Sequence, residues 1–247
     1  MILGFVDVLK KYKILAIILV IVIALLLVSL MWLYRKKKYQ KNITVKDVST
    51  IGIFTALSMV LYLLKFNLPI FPPFLEFNFS LLPIIIIGFM MGPIEGVTVV
   101  LLRGIIKLQM TSTFCVGEVA DILIGIPVIL VTSLVYKKYH TRKGAIVSLL
   151  LGILTWILAG VLSNYFINVP FFLELYCNGN VEAFISALSV IPGVTAENYM
   201  IKYLIYATVP FNALLAVVVS FVTFIVYKKI SILFEKIIKE KQHSIVE

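Results

Sequence analysis

Cysteine is scarce in this chain: Cys115 and Cys177 are the only two among 247 residues. Two cysteines make no disulfide framework, and the plainer reading is two unpaired small hydrophobes, with a bond between them left open. Histidine is equally scarce. His140 and His243 both lie in basic segments, so no metal-ligand cluster can be assembled from them. The motifs His-Glu-x-x-His, Cys-x-x-Cys and Gly-x4-Gly-Lys-Ser/Thr are absent, which excludes the metal, redox and phosphate-loop chemistry they carry. No nucleophile–base pair is visible either. The sequence therefore reads as neither an enzyme nor a holder of a cofactor, and any ATP hydrolysis it uses must come from another protein. Charge is the last shortage. Only 14% of residues are charged, against about a quarter in soluble domains.

Long apolar runs fill the rest. The chain is 62% hydrophobic with a mean hydropathy of +1.09, the composition of a polytopic protein of the lipid bilayer. A net charge of +10 raises nucleic acid as a partner, but the placement of the bases argues against it. Fifteen of the 22 fall in three clusters, Arg35–Lys46, Lys137–Lys143 and Lys228–Lys241, each at the end of an apolar run and outvoting Lys10, Lys11 and Lys13 before the first span. That is the pattern of cytoplasmic loops. It orders the chain as residues 1–44, an anchor (about Leu15–Leu33) and basic linker; 45–227, a six-span membrane domain; and 228–247, a basic tail. The core spans are expected near Val48–Leu64, Phe79–Met91, Val97–Leu108, Val119–Tyr136, Gly144–Phe166 and Tyr203–Tyr227. Asn168–Met200 is expected as a long outer segment. The N-terminus then lies outside and the C-terminus in the cytoplasm. The tail sets Ile230, Leu233, Phe234, Ile237 and Ile238 at helical spacing; it fits an interfacial amphipathic helix or a continuation of the last span.

The chain is organised around residues 66–121. This stretch holds a proline-rich aromatic loop, two spans shorter than the ~20 residues that cross hydrocarbon comfortably, the turn Gly92-Pro93-Ile94-Glu95-Gly96, and Arg103 and Lys107 inside an apolar run. Broken backbone and buried charge at membrane depth belong where protein encloses a cavity. Arg103 either turns into such a cavity or snorkels inward to pair with Glu95. Asn164 and Asn212, amides in apolar helices near the outer face, need hydrogen-bond partners that a ligand or another helix can supply. Gly52 and Ala56 lie four apart on one helix face and let another helix approach closely.

The runs FPPFLEFNFSLLPIIIIGFMMGPIEG, LLRGIIKL, TST and GEVADILIG, with Asn164-Tyr165-Phe166, Pro170 and Pro210-Phe211-Asn212, strongly resemble the substrate-binding S components of energy-coupling factor vitamin transporters, and within them the riboflavin-specific branch. The resemblance covers about Val45–Tyr227. It implies an all-α integral membrane fold, a six-helix S-component bundle preceded here by one extra N-terminal transmembrane helix. It also implies binding of riboflavin from outside, association with a transmembrane T protein and two cytoplasmic ATPase subunits, and ATP-driven toppling that carries the vitamin inward. The substrate-binding residues it implies are Asn164 and Asn212 on the flavin ring, and Phe71, Phe74, Leu75, Thr111, Ser112 and Glu118 in the lid and ribityl region. Gly52 and Ala56 are implied to dock on the T protein.

The departures from the family pattern cluster at the same places. Leu215 stands where the family has lysine, Glu76 where lysine is usual, Asn78 where aspartate is usual, and Gly104 and Asp121 replace asparagines. Losing a charged donor typically costs about 1.5–3 kcal/mol. Either Lys202 or Lys107 compensates for Leu215, or the ligand is a different flavin or vitamin. A scaffold that kept the fold and lost the ligand is the alternative outside the transport class.

Overall fold

The computed structural model describes Ser29, residues 44–110 and residues 116–243. The expected first span and its basic linker, and with them Thr111, Ser112 and Cys115, lie outside these residues, Ser29 apart. Cys177 is a half-buried free thiol.

Helix α1 (Val45–Leu63) opens on a capping box. Thr44 Oγ1 accepts from the Asp47 amide and the Asp47 carboxylate accepts from the Thr44 amide, both at 3.2 Å, which satisfies two otherwise orphaned donors. A small hairpin follows, β1 (Phe66–Asn67) against β2 (Glu76–Phe77), with Phe66 opposite Phe77. Nothing in the sequence pattern announced this hairpin. The proline-rich loop between the strands is held by Asn67, whose side-chain amide donates to the carbonyls of Pro73 and Leu75.

Helices α2 (Leu81–Met90) and α3 (Pro93–Leu108) are joined by Met91 and Gly92. Gly92 has φ +123°, a conformation that side chains rarely adopt, and Pro93 takes the first helical position, where its missing N–H is not needed. The turn is therefore tight enough to return the chain at once. At ten residues α2 is short, and the reason it can be is its surroundings. It touches α1, α3, α4 and α9, and Ile84, Ile85, Ile86 and Ile87 are all at most 1% exposed. A helix that is apolar all round belongs inside protein, so α2 is a central column and does not need to span lipid.

Helix α4 (Val116–Lys138) runs to the second basic cluster. After it α5 (Arg142–Ser163) begins at Thr141, whose hydroxyl accepts from the Gly144 amide. The helix does not stop near Phe166 as expected. It passes through a π-helical turn, Asn164–Asn168, into α6 (Val169–Cys177). The long outer segment thus contains helices, with α7 (Val181–Ala187) and α8 (Tyr199–Tyr203) following. A second π-helical turn, Leu204–Thr208, leads into α9 (Val209–His243). The tail is a continuation of this last helix. In both π turns the amide of the valine just before proline reaches five residues back, Val169 to Asn164 and Val209 to Leu204. Proline offers no amide and crowds the carbonyl four residues before it, and one wider turn accommodates that without breaking the helix.

Helices α1, α4, α5–α6 and α8–α9 are long and apolar enough to cross a membrane. With α2 and α3 at the centre they make the expected six-helix all-α bundle. The faces turned outward are apolar: Leu150, Leu154, Leu158 and Leu162 on α5 are each more than half exposed. A second apolar cluster, separate from the bundle core, joins Val169, Phe184, Leu188 and Ile191 to Tyr203 and Ala207. It forms a cap over one end of the bundle, opposite the end that carries Lys137, Lys138, Lys228 and Lys229.

Candidate ligand-binding site

Under that cap lies a cavity of about 440 Å³, within the range of small-molecule sites. Two walls of different chemistry face it.

The first wall is aromatic and amide-bearing. It is built where α5 meets α9. Asn164 is 5% exposed; its Nδ2 donates to the Gly160 carbonyl at 2.8 Å and its Oδ1 accepts from the Tyr203 hydroxyl at 2.8 Å. Asn212 is also 5% exposed; its Nδ2 donates to the Thr208 carbonyl at 2.8 Å. Its Oδ1 has no protein partner among the described residues. Gly160 makes this arrangement fit, because a β-carbon there would lie 2.7–2.8 Å from the Asn212 amide group. Asn168, one turn beyond Asn164, also lines the cavity, and its buried Oδ1 has no hydrogen-bond partner. Trp156, Phe211 and Leu215 complete the lower part of this wall. Phe74 closes it above, with ring centroids 4.9 Å from Phe172 and 5.8 Å from Tyr203.

The second wall is polar and charged. Arg103, on α3, is 2% exposed and donates to Ser80 Oγ at 2.5 Å. Ser80 Oγ in turn donates to Asn78 Oδ1 at 2.6 Å, and the Ser80 carbonyl accepts from Ser58 at 2.7 Å. Arg103 therefore enters the bundle and does not reach back to Glu95. One turn on, Lys107 is ion-paired with Asp121 of α4, and its Nζ lies 4.0 Å from the Tyr62 ring centroid. Glu118 lines the same wall at 5% exposure. Lys65 and Glu76, at the hairpin, form an ion pair of 2.8 Å at the rim.

Of the residues expected from sequence, Asn164, Asn212, Phe74, Leu75 and Glu118 line the cavity. Two do not. Phe71 is turned into the core, 5.4 Å edge-on from Phe211 and 6.0 Å from Phe77, so it buttresses the wall from behind. Lys202 Nζ donates to the Pro192 carbonyl at 2.9 Å and ties the cap to α8 outside the cavity. It is not available to stand in for the lysine missing at Leu215, and Lys107 is already engaged by Asp121. Tyr62, Trp156 and Asn168 were missed. For Asn168 the signal was present, since Asn164 and Asn168 share one helix face at a spacing of four. Gly52 and Ala56 lie on the exposed side of α1, with nothing within 4 Å of a β-carbon built on Gly52.

Comparison with known proteins agrees with this architecture. The family described as ECF transporter, substrate-specific component matches residues 46–227. The chain is 26% identical over 197 residues to riboflavin transporter RibU of Staphylococcus aureus (strain TCH60), covering 80% of this chain and 95% of that protein. It is 31% identical over 129 residues to riboflavin transporter FmnP of Bacillus subtilis (strain 168), covering 51% and 68%. A solved structure described as the S component of a bacterial ECF transporter superposes with a TM-score of 0.58 at 24% identity, covering 76% of this chain and 96% of that one. At that identity the likeness shows the fold.

Proposed function

This chain belongs to the family of ECF transporter substrate-specific components, and from that premise we propose that it binds riboflavin, or a close flavin relative, and hands it inward. Membership makes it a transport subunit and not an enzyme. The observation that carries the ligand is the seam between α5 and α9. A flat heteroaromatic ring needs an apolar slot and a few aimed amides. Asn164 and Asn212 offer amides beside Trp156, Phe74 and Phe211, and the Oδ1 of Asn212 is an acceptor with no partner among the described residues. The polar wall of Ser80, Arg103 and Asp121 suits a hydroxylated tail. Relatives named as riboflavin transporters support the same reading.

The basic clusters lie at the end opposite the cap, which supports a cytoplasmic C-terminus and entry of flavin from the cap side. The exposed small-residue face at Gly52 and Ala56 supports docking of a transmembrane T protein, with ATPase subunits supplying the energy this chain's sequence does not. A second reading, a different vitamin, is favoured by one observation: Leu215 puts an apolar side chain in the wall where the resembled family has a donor. Titration of purified protein with riboflavin decides between them. Saturable quenching of flavin fluorescence at micromolar ligand is expected; its absence moves the assignment to the second reading.

A further inference from the structure

Three cations and three carboxylates line the cavity: Lys65, Arg103 and Lys107 against Glu76, Glu118 and Asp121. Two of the cations are taken up by ion pairs, Lys65 with Glu76 and Lys107 with Asp121. The second pair is asymmetric. The Lys107 side chain is 4% exposed, whereas Asp121 is 38% exposed toward the cavity. The carboxylate thus stands between the buried ammonium and any ligand. Arg103 is the cavity cation without a carboxylate in hydrogen-bond contact among the described residues; it donates to Ser80, and its buried Nε has no partner.

We propose that Asp121 is a specificity-determining residue: by holding Lys107 it keeps the polar wall charge-balanced, so that the site takes a flavin with a neutral polyol tail and rejects one ending in a phosphate monoester. This inference rests on the flavin reading above. A hydroxyl can donate to the exposed Asp121 oxygen and accept from Arg103, satisfying both without adding charge. A phosphate monoester carries about −1.5 to −2 at pH 7. It would enter a wall already holding three carboxylates, with one guanidinium to meet it, and a buried charge is tolerated only when paired. The discrimination comes from a repulsive group set against the wrong ligand.

The test is a pair of fluorescence-quenching titrations, with riboflavin and with riboflavin 5′-phosphate, on ligand-free protein in detergent at one fixed low salt concentration. Wild type is expected to bind riboflavin at least ~10-fold more tightly than the phosphate, the scale of one charged hydrogen bond gained or lost. Asp121→Asn is expected to move the ratio at least ~10-fold toward the phosphate. Adding Lys107→Met to Asp121→Asn is expected to return it toward the wild-type value, because the freed cation is gone. Equal wild-type affinities, or a ratio unmoved by Asp121→Asn, overturn the selectivity while leaving flavin binding intact. If neither compound binds to wild type, the flavin reading and the selectivity fall together. The wild-type ratio decides by itself should Asp121→Asn not purify.

Discussion

Asn212 and Asn164 sit on the same seam but carry different burdens. Asn212 spends one amide hydrogen on the Thr208 carbonyl and its oxygen has no partner among the described residues. Replacing it with alanine should weaken flavin binding ~10–100-fold while leaving the melting temperature within a few degrees, measured by titration and thermal unfolding on the same preparation. Asn164 ties α5 to Tyr203. Its alanine variant leaves a buried tyrosine hydroxyl unpaired, a loss of about 1–3 kcal/mol of stability, so here both the affinity and the melting temperature should fall. Gly160 carries the reverse risk. A methyl group there meets the Asn212 amide head-on, and Gly160→Ala should mimic the loss of Asn212 in a binding titration although it removes no polar atom. Lys202→Ala should change affinity by less than ~3-fold, since its ammonium holds the Pro192 carbonyl and not the cavity. A larger loss would mean that the cap must be tied down for the site to form.

At the scale of elements the two π turns matter most. Val169-Pro170-Phe171 and Val209-Pro210-Phe211 repeat the same tripeptide, each just after a widened turn. Each widening shifts the helical register beyond it by one residue, about 100° of rotation, and so sets which side chains of α6 and α9 face the cavity. Pro210→Ala supplies the missing amide and lets the turn relax to α. The expected result is a helix content unchanged by circular dichroism with flavin affinity reduced, because Asn212 and Leu215 rotate together. These turns also mark the limit of what could be read from the chain. Hydropathy and the basic clusters disclosed the six helices of the bundle, since both signals are strong and repeated, although only four of them are long and apolar enough to cross a membrane. Ending the fifth span near Phe166 placed Asn168 in the outer segment and hid it from the site. Lys202 stood out as an outer-rim cation able to compensate for Leu215; its partner is a backbone carbonyl ten residues away, and no pattern of residue types reveals that. Arg103 and Lys107 stood out as buried charges, but which groups would meet them depended on how Ser80 and Asp121 were brought across from other helices.

For the whole molecule, binding and transport should separate. The chain has no nucleotide-binding motif, so liposomes containing it alone should bind flavin without ATP-dependent accumulation. Gly52→Leu should leave the detergent titration unchanged and abolish uptake in cells, because the bulky side chain sits on the outward face of α1, far from both cavity walls. Uptake that survives would place the docking face elsewhere. The exposed leucines of α5 and the apolar outer face of α9 belong to lipid, so these faces tolerate apolar exchange and resist charge, which costs about 2.5–3.5 kcal/mol at mid-membrane.

The short central column has a further consequence. At about 1.5 Å per residue, the ten residues of α2 measure ~15 Å, roughly half the ~30 Å hydrocarbon thickness. Its first residue, Leu81, lines the cavity beside Ser80, so the polar wall ends on the top of this column. What lies between the cavity and the basic end of the bundle is the packed stack of Ile84, Ile85, Ile86 and Ile87 with its neighbours. The column is therefore the insulator of the molecule: it sets electrical tightness as well as shape. Ile86→Asn should show itself first as proton leak in liposomes, even in a protein that still binds its vitamin.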